Sequence, residues 1–249
     1  MKRISLLLVL ALGVLLGRAG LDLPDWGDPG APANVHVSPH YIEHSLAETS
    51  VPNIVTAVLA DYRGYDTMFE TMVIFCAGIT VLAVLRRTHR RREKLVRPRP
   101  QGSAADVILQ AAARLLVPPM QVFALYVVAH GHHSPGGGFQ GGVILGASFI
   151  LLALAYNLEA VLARFRERAM LRGMALGVLI YAGIGVGSIL LGGNMLDYAA
   201  WSGLLGVSPV EARSLGMLGV EIGVAVTVMA VMLSLYVDLA SGGDLDEGL

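Results

Sequence analysis

The chain has a single cysteine, Cys76, among 249 residues. No intrachain disulfide can therefore form, and a small thiol inside an apolar run reads as a packing residue. Charge is equally scarce. Asp, Glu, Lys and Arg make up 15% of the chain against 55% hydrophobic residues, and the formal net charge is -1. Bulk charge thus predicts no acidic partner, and a soluble protein of this length would need far more polar surface. Recognisable catalytic patterns are missing too. The segment "GASFI" around Ser148 lacks the closing glycine of a nucleophile elbow, and no H-E-x-x-H occurs.

What is present is apolar sequence in blocks. Five runs reach the roughly 20 residues that cross a hydrocarbon core: Thr67 to Leu85, Val107 to Ala129, Gly142 to Leu162, Met170 to Leu191, and Leu215 to Val237. A sixth, Ile4 to Leu16, is shorter and follows Lys2 and Arg3; its poor small-residue cleavage pattern favours a retained first span over a signal peptide. The expected fold is an all-α polytopic membrane protein with about six spans. Placing both ends inside collects Lys2, Arg3, the basic residues from Arg86 to Arg99, Arg114, Arg164, Arg166, Arg168 and Arg172 on the cytoplasmic face. Only Arg18, Arg63 and Arg213 are left outside, of 18 Lys and Arg in all, as the positive-inside rule requires. The basic run "RRTHRRREKLVRPRP" then reads as a topology anchor rather than a nucleic-acid site, and Pro98, Pro100 and Gly102 mark a joint between two modules.

Polar sequence between the third and fourth runs is concentrated in "HGHHSPGGGFQGG", on the outer face. Ser134 and Pro135 signal a turn, and Gly136, Gly137 and Gly138 allow the backbone to fold back closely against neighbouring helices. No Lys-Ser/Thr pair follows, which excludes a Walker-type phosphate loop. His130, His132 and His133, with His40 and His44, offer imidazoles, but no thiol or carboxylate stands at a metal-ligand spacing. The reading is polar interfacial histidines, one of them carrying protons, with no metal and no cofactor.

Acids inside apolar runs are more telling, because a carboxylate in hydrocarbon costs several kcal/mol unless paired, hydrated or neutral. Glu221 lies two turns into the last run. Asp66 and Glu70 share a helix face at i and i+4, where two anions repel. Two readings of that pair stay open: an ion site, with a shared proton, a cation or Arg63 between them, or a helix cap followed by a first-turn glutamate. Pro118 and Pro119 should kink the third span. Pairs of glycines four apart, Gly142 and Gly146, Gly173 and Gly177, Gly183 and Gly187, Gly219 and Gly223, imply close helix contacts, more than six helices need, and so suggest neighbouring subunits.

The stretch "VPPMQVFALYVVAHGHHSPGGGFQGGVILGASFILLALAYN" closely resembles the signature of the B subunit of Mrp-type multisubunit cation/proton antiporters and its counterpart in membrane-bound hydrogenases. The preceding "HVSPHYIEHSLAETSVPNIVTAVLADYRGYDTMFETMVIF" resembles the carboxy-terminal part of the large antiporter A subunit, which stands as the separate, small E subunit in those hydrogenases. There a "DFRGxDTxGE" pattern opens the last helix; here it runs from Asp61 to Glu70, with Phe69 in place of the usual glycine. The resemblance implies an E-like module over 1–97 and a B-like module over 98–249, with Gly141 and Gly142 closing the signature loop. It implies a non-catalytic, multi-pass component of the cell membrane, either in an antiporter complex or in the antiporter-like arm of a redox-driven pump. Its partners would be other integral subunits, the lipid bilayer and transported Na+ or H+, with no nucleic acid. On this reading Asp66, Glu70, Glu221, His130, His132 and His133 form an outer polar mouth of the ion path.

Overall fold

The structure, a computed structural model, describes residues 2–89, 104–156 and 158–241; the joint at Pro98, Pro100 and Gly102 lies outside them. Among the described residues every regular element is helical. The chain divides into two compact units, Met1–His44 and Ser45–Leu249.

In the first unit, helix α1 (Lys2–Gly20) is apolar from Ile4 to Gly20, and its side chains are exposed along that length. A helical stretch from Ile4 to Gly20 reaches about 25 Å at 1.5 Å per residue, short of a hydrocarbon core of about 30 Å. The remaining five apolar runs do form helices long enough to cross a membrane. Helix α2 (Ser38–Thr49) crosses from the first unit into the second.

The second unit is organised around its last helix. Helices α3 (Gly64–His89), α4 (Ala104–Ala129), α5 (Gly138–Tyr156), α6 (Glu167–Leu190) and α7 (Pro209–Ser241) are the five spans, and α7 packs against α3, α5 and α6. One apolar cluster joins Val220, Val224 and Val228 of α7 to Met68 of α3 and Tyr181 of α6. Further along α7, Leu233 and Val237 meet Ala153 of α5 and Met170 of α6. Helix α4 reaches the bundle through α5, with Ala113 and Val117 against Ala155. It runs on through Pro118 and Pro119, which deprives the carbonyls of Arg114 and Leu115 of their usual backbone donors.

Close approach of α7 to its neighbours depends on missing side chains. A methyl group built on Gly177 would stand 2.2 Å from Thr227 Oγ1 and 2.3 Å from the Gly223 carbonyl. On Gly142 it would stand 2.7 Å from the Ala225 carbonyl, and on Gly219 2.7 Å from Ile184. Such distances lie inside van der Waals contact: at Gly177 and Gly142 a neighbouring backbone fills the space, and at Gly219 the Ile184 side chain does. The glycine pairs therefore serve contacts within this chain. Gly183 is the exception among them, with open space where a side chain would go, while Gly187 lies against Trp201. The close contacts expected from these pairs are thus found within the chain, where one central helix, α7, is gripped on several sides.

Gly177→Val is expected to disrupt the α6–α7 contact, at a cost of about 1–3 kcal/mol or more, whereas Gly183→Val should leave the fold intact. Thermal unfolding and monodispersity of the purified chain in mild detergent distinguish the two; equal behaviour would contradict the packing described.

Candidate functional site

Helix α4 ends at Ala129, and the chain turns at once. The backbone N–H groups of His133 and Ser134 both donate to the His130 carbonyl at 2.9 Å, and Ser134 Oγ donates to it at 3.1 Å. Two glycines with left-handed backbone follow, Gly136 at φ +132° and Gly137 at φ +153°, a region that strains any residue with a Cβ. Helix α5 then starts at Gly138.

This glycine-rich turn lies directly on Glu221 of α7. A methyl group on Gly137 would be 2.4 Å from Glu221 Oε1, one on Gly131 2.9 Å from Oε2, and one on Gly138 only 2.0 Å from the backbone carbonyl oxygen of Glu221. The side chain is buried, at 8% exposure. It accepts the backbone N–H of Gly138, one of the first N–H groups of α5, where the helix presents its positive end. Its other oxygen, Oε2, is buried with no hydrogen-bond partner.

The three histidines of the turn part company. His130 is exposed and stacks on Tyr126, with ring centroids 4.1 Å apart. His133 is exposed. His132 points inward at 8% exposure; its Nδ1 lies 3.3 Å from Ser214 Oγ of α7, and its Nε2 is buried without a partner. Burial, and next the neighbouring His133, hold the His132 imidazole below the ordinary histidine pKa. Ser214 and Glu221 are seven residues apart on α7, hence on one face.

The segment before α3 holds this turn in place. Asn53 Nδ2 donates to the Gly131 carbonyl at 2.8 Å and to the Ser134 carbonyl at 2.9 Å. The Asn53 backbone N–H donates to the His132 carbonyl at 2.9 Å, and Thr56 Oγ1 donates to Gly131 at 2.7 Å. At the same end, Arg213 grips Asp61 with two hydrogen bonds, Nε to Oδ2 at 2.7 Å and Nη2 to Oδ1 at 3.0 Å. The guanidinium also lies over the Tyr62 ring, whose hydroxyl donates to Glu48. Tyr181 and Tyr198 donate to the carbonyls of Gly64 and Ala60, both at 2.8 Å.

Asp66 and Glu70 sit elsewhere. Asp66, in the first turn of α3, pairs with Arg63 at 2.5 Å on an exposed surface. Glu70 is exposed one turn later, although it and Glu221 both act electrostatically on Tyr181. Among the described residues no three His, Cys, Asp or Glu side chains converge into a metal-holding group. The His40 and His44 rings lie against each other in the first unit, tilted by 40° with centroids 5.0 Å apart.

Asn53, Thr56, Asp61 and Arg213 do not stand out in the sequence. The available signals are slight: Asp61 opens the "DYRGYD" stretch, and Arg213 is the single basic residue of α7. The assembled site offers a buried carboxylate with one free oxygen and a buried imidazole with one free nitrogen, under a backbone lid. Such groups can hold and exchange a positive charge.

Two protein families match along the chain: "Domain related to MnhB subunit of Na+/H+ antiporter" over residues 108–234, and the E subunit of MBH over residues 7–102. The chain is similar to the probable K(+)/H(+) antiporter A/B subunit of Rhizobium meliloti (strain 1021), 27% identical over 220 residues that cover 79% of this chain but 22% of that protein. It is 35% identical over 130 residues to the "Putative antiporter subunit mnhB2" of Staphylococcus aureus (strain Newman), covering 50% of this chain and 92% of that protein. Among solved structures it resembles a chain of the Mrp complex from Dietzia sp. DQ12-45-1b, with a TM-score of 0.65 over 99% of this chain and 26% of that one. At 23% identity that likeness is one of fold. It also resembles a chain of the membrane-bound sulfane sulfur reductase (MBS), an archaeal respiratory membrane complex, with a TM-score of 0.59 and 28% identity over 93% of this chain and 97% of that one.

Asn53→Ala removes the donor shared by two turn carbonyls. The expected cost is about 1–3 kcal/mol, because the Ser134 carbonyl loses its donor while Gly131 keeps Thr56, with faster amide hydrogen exchange from Gly131 to Gly138. Hydrogen exchange read by mass spectrometry checks this; unchanged protection of the turn would show that Asn53 does not hold it.

Proposed function

Because this chain belongs to the family of domains related to the MnhB subunit of Na+/H+ antiporters, we propose that it is an integral membrane subunit of a multisubunit, Mrp-type cation/proton antiporter complex. It contributes to assembly and to the path of the translocated ion, and catalyses no reaction of its own. The chain carries two modules, an E-like one over 1–97 and a B-like one over 98–249, a division supported by the family matches over 7–102 and 108–234. Both ends face the cytoplasm, as the distribution of Lys and Arg favours.

Glu221 carries the proposal. It is buried in a membrane-crossing helix, accepts one backbone N–H, and keeps an oxygen without a partner. An acid retained at such cost without full pairing is a mark of a residue used in transport. His132 joins it as the second buried group with a free polar atom. Asp66, Glu70, His130 and His133 line the outer approach, with Asp66 held by Arg63.

The redox-driven reading has one specific support: the likeness to a chain of the MBS respiratory complex covers nearly all of that chain. Partners that co-purify in mild detergent separate the two assemblies, since a redox-driven arm brings metalloproteins and a gradient-driven exchanger brings antiporter subunits alone.

Glu221→Gln, which keeps shape and removes ionisation, should abolish cation-coupled proton movement in membrane vesicles while the complex still assembles. Normal transport by that variant would leave a scaffold function and remove Glu221 from the path.

A further inference from the structure

The surroundings of Glu221 are selective about what can bind there. An alkali cation, like other hard cations, asks for several oxygen ligands arranged around it. The structure supplies the reverse. The carboxylate is met by an N–H group, that of Gly138, at the positive end of a 19-residue helix, an arrangement that favours anions and disfavours a second cation. Three carbonyls of the turn are engaged elsewhere: Gly131 accepts from Asn53 and Thr56, Ser134 from Asn53, and His132 from the Asn53 backbone. Space is short as well, because a methyl group at Gly137 or Gly131 would already press on the carboxylate at 2.4 and 2.9 Å.

The charged and titratable groups facing the site are few. The turn contributes His132, with His133 beyond it on the exposed side. Helix α6 contributes Tyr181, on which Glu70 of α3 also acts. On α7 itself Arg213 is committed to Asp61. The remaining buried polar atom of the turn without a partner is His132 Nε2, a nitrogen, which suits a proton and serves an alkali cation poorly.

We propose that the cargo of this site is a proton: Glu221 takes up and releases H+ and ligates no alkali cation, with His132 handing the proton across from the outer turn. The inference rests on Glu221 lying in the ion path, as proposed above. In the transfer, the Nε2–H bond of the imidazolium breaks and an O–H bond forms at Glu221 Oε2. The imidazole is left neutral with its Nδ1–H toward Ser214 Oγ, and the carboxylate becomes a neutral acid. Ser214, which holds the ring, and Glu221 stand about 10.5 Å apart along α7, and the proposed transfer between ring and carboxylate runs through intervening water.

The test uses vesicles carrying the complete complex and dicyclohexylcarbodiimide, which modifies protonated carboxyl groups in apolar surroundings. Modification of Glu221 is followed by peptide mass spectrometry across pH, with and without saturating Na+, K+ or Li+. Labelling should rise as pH falls, vanish in Glu221→Gln, and stay the same with each cation. Several-fold protection by any one of them would make this an alkali-cation site, overturning the proposal while leaving Glu221 in the ion path. Labelling that ignores pH overturns it too. Normal transport by Glu221→Gln is a different failure, that of the path assignment itself. His132→Asn should slow proton uptake by about tenfold or more, the scale of a lost acid–base relay, and an unchanged rate removes His132 from the transfer. If that variant does not assemble, Ser214→Ala, which frees the ring from its one hydrogen bond, carries the same expectation.

Discussion

A carboxylate inside a membrane bundle needs neighbours that can approach it without apolar bulk, and the contact between Glu221 and the backbone of Gly131, Gly137 and Gly138 meets that need. Glycine at these positions is what lets the peptide groups come that close. The same requirement explains why the turn between α4 and α5 is written almost without side chains. It also fixes where α5 begins, since its first N–H groups have to reach the acid. Burying such a group unpaired costs several kcal/mol, so the elements around it have to be held firmly enough to bear that cost.

They are held from the amino-terminal half of the chain. A turn that folds inward leaves carbonyls away from water, and each has to find a donor. Asn53 and Thr56 supply those donors, while the Arg213–Asp61 pair and the Tyr181 and Tyr198 hydroxyls fasten the start of α3 to α6, α7 and the connection between them. These bonds link segments 75 to 152 residues apart in sequence. Residues 53–64 are thus coupled to the later helices at one end by a polar layer, and the site is not complete without them. Exposed apolar side chains on α3 and α4, such as Val73, Val122 and Leu125, remain for lipid or for other subunits.

Much of this was legible in the sequence, and the limits follow from the range of each signal. Spans are set by local hydropathy, so the five long runs became five helices. Glu221 stood out because an isolated acid in an apolar run is visible without any partner. The Asp66 and Glu70 pair looked like a local repulsion, but the structure relieves it through Arg63, one turn earlier, and leaves Glu70 exposed. The three turn histidines are adjacent in sequence, yet a tight turn sends successive side chains in different directions, so His132 alone goes inward. Glycine spacing correctly marked close helix contacts without saying with what. Asn53 and Asp61 could not be found this way, because their importance comes from partners far along the chain.

Three acids in one molecule show how burial separates structure from use. Asp61 is buried and has both oxygens on one guanidinium, which is how a fold retains a charge that only has to stay put. Asp66 is exposed and holds a neighbouring arginine at the start of a helix, a local arrangement of little energetic weight. Glu221 is buried like Asp61 but only half satisfied, with a donor on one oxygen and nothing on the other. If burial alone were the aim, glutamine or a small apolar residue would fill the position at lower cost. An acid that keeps a free oxygen under a backbone lid, beside an imidazole that keeps a free nitrogen, is arranged so that its charge can change.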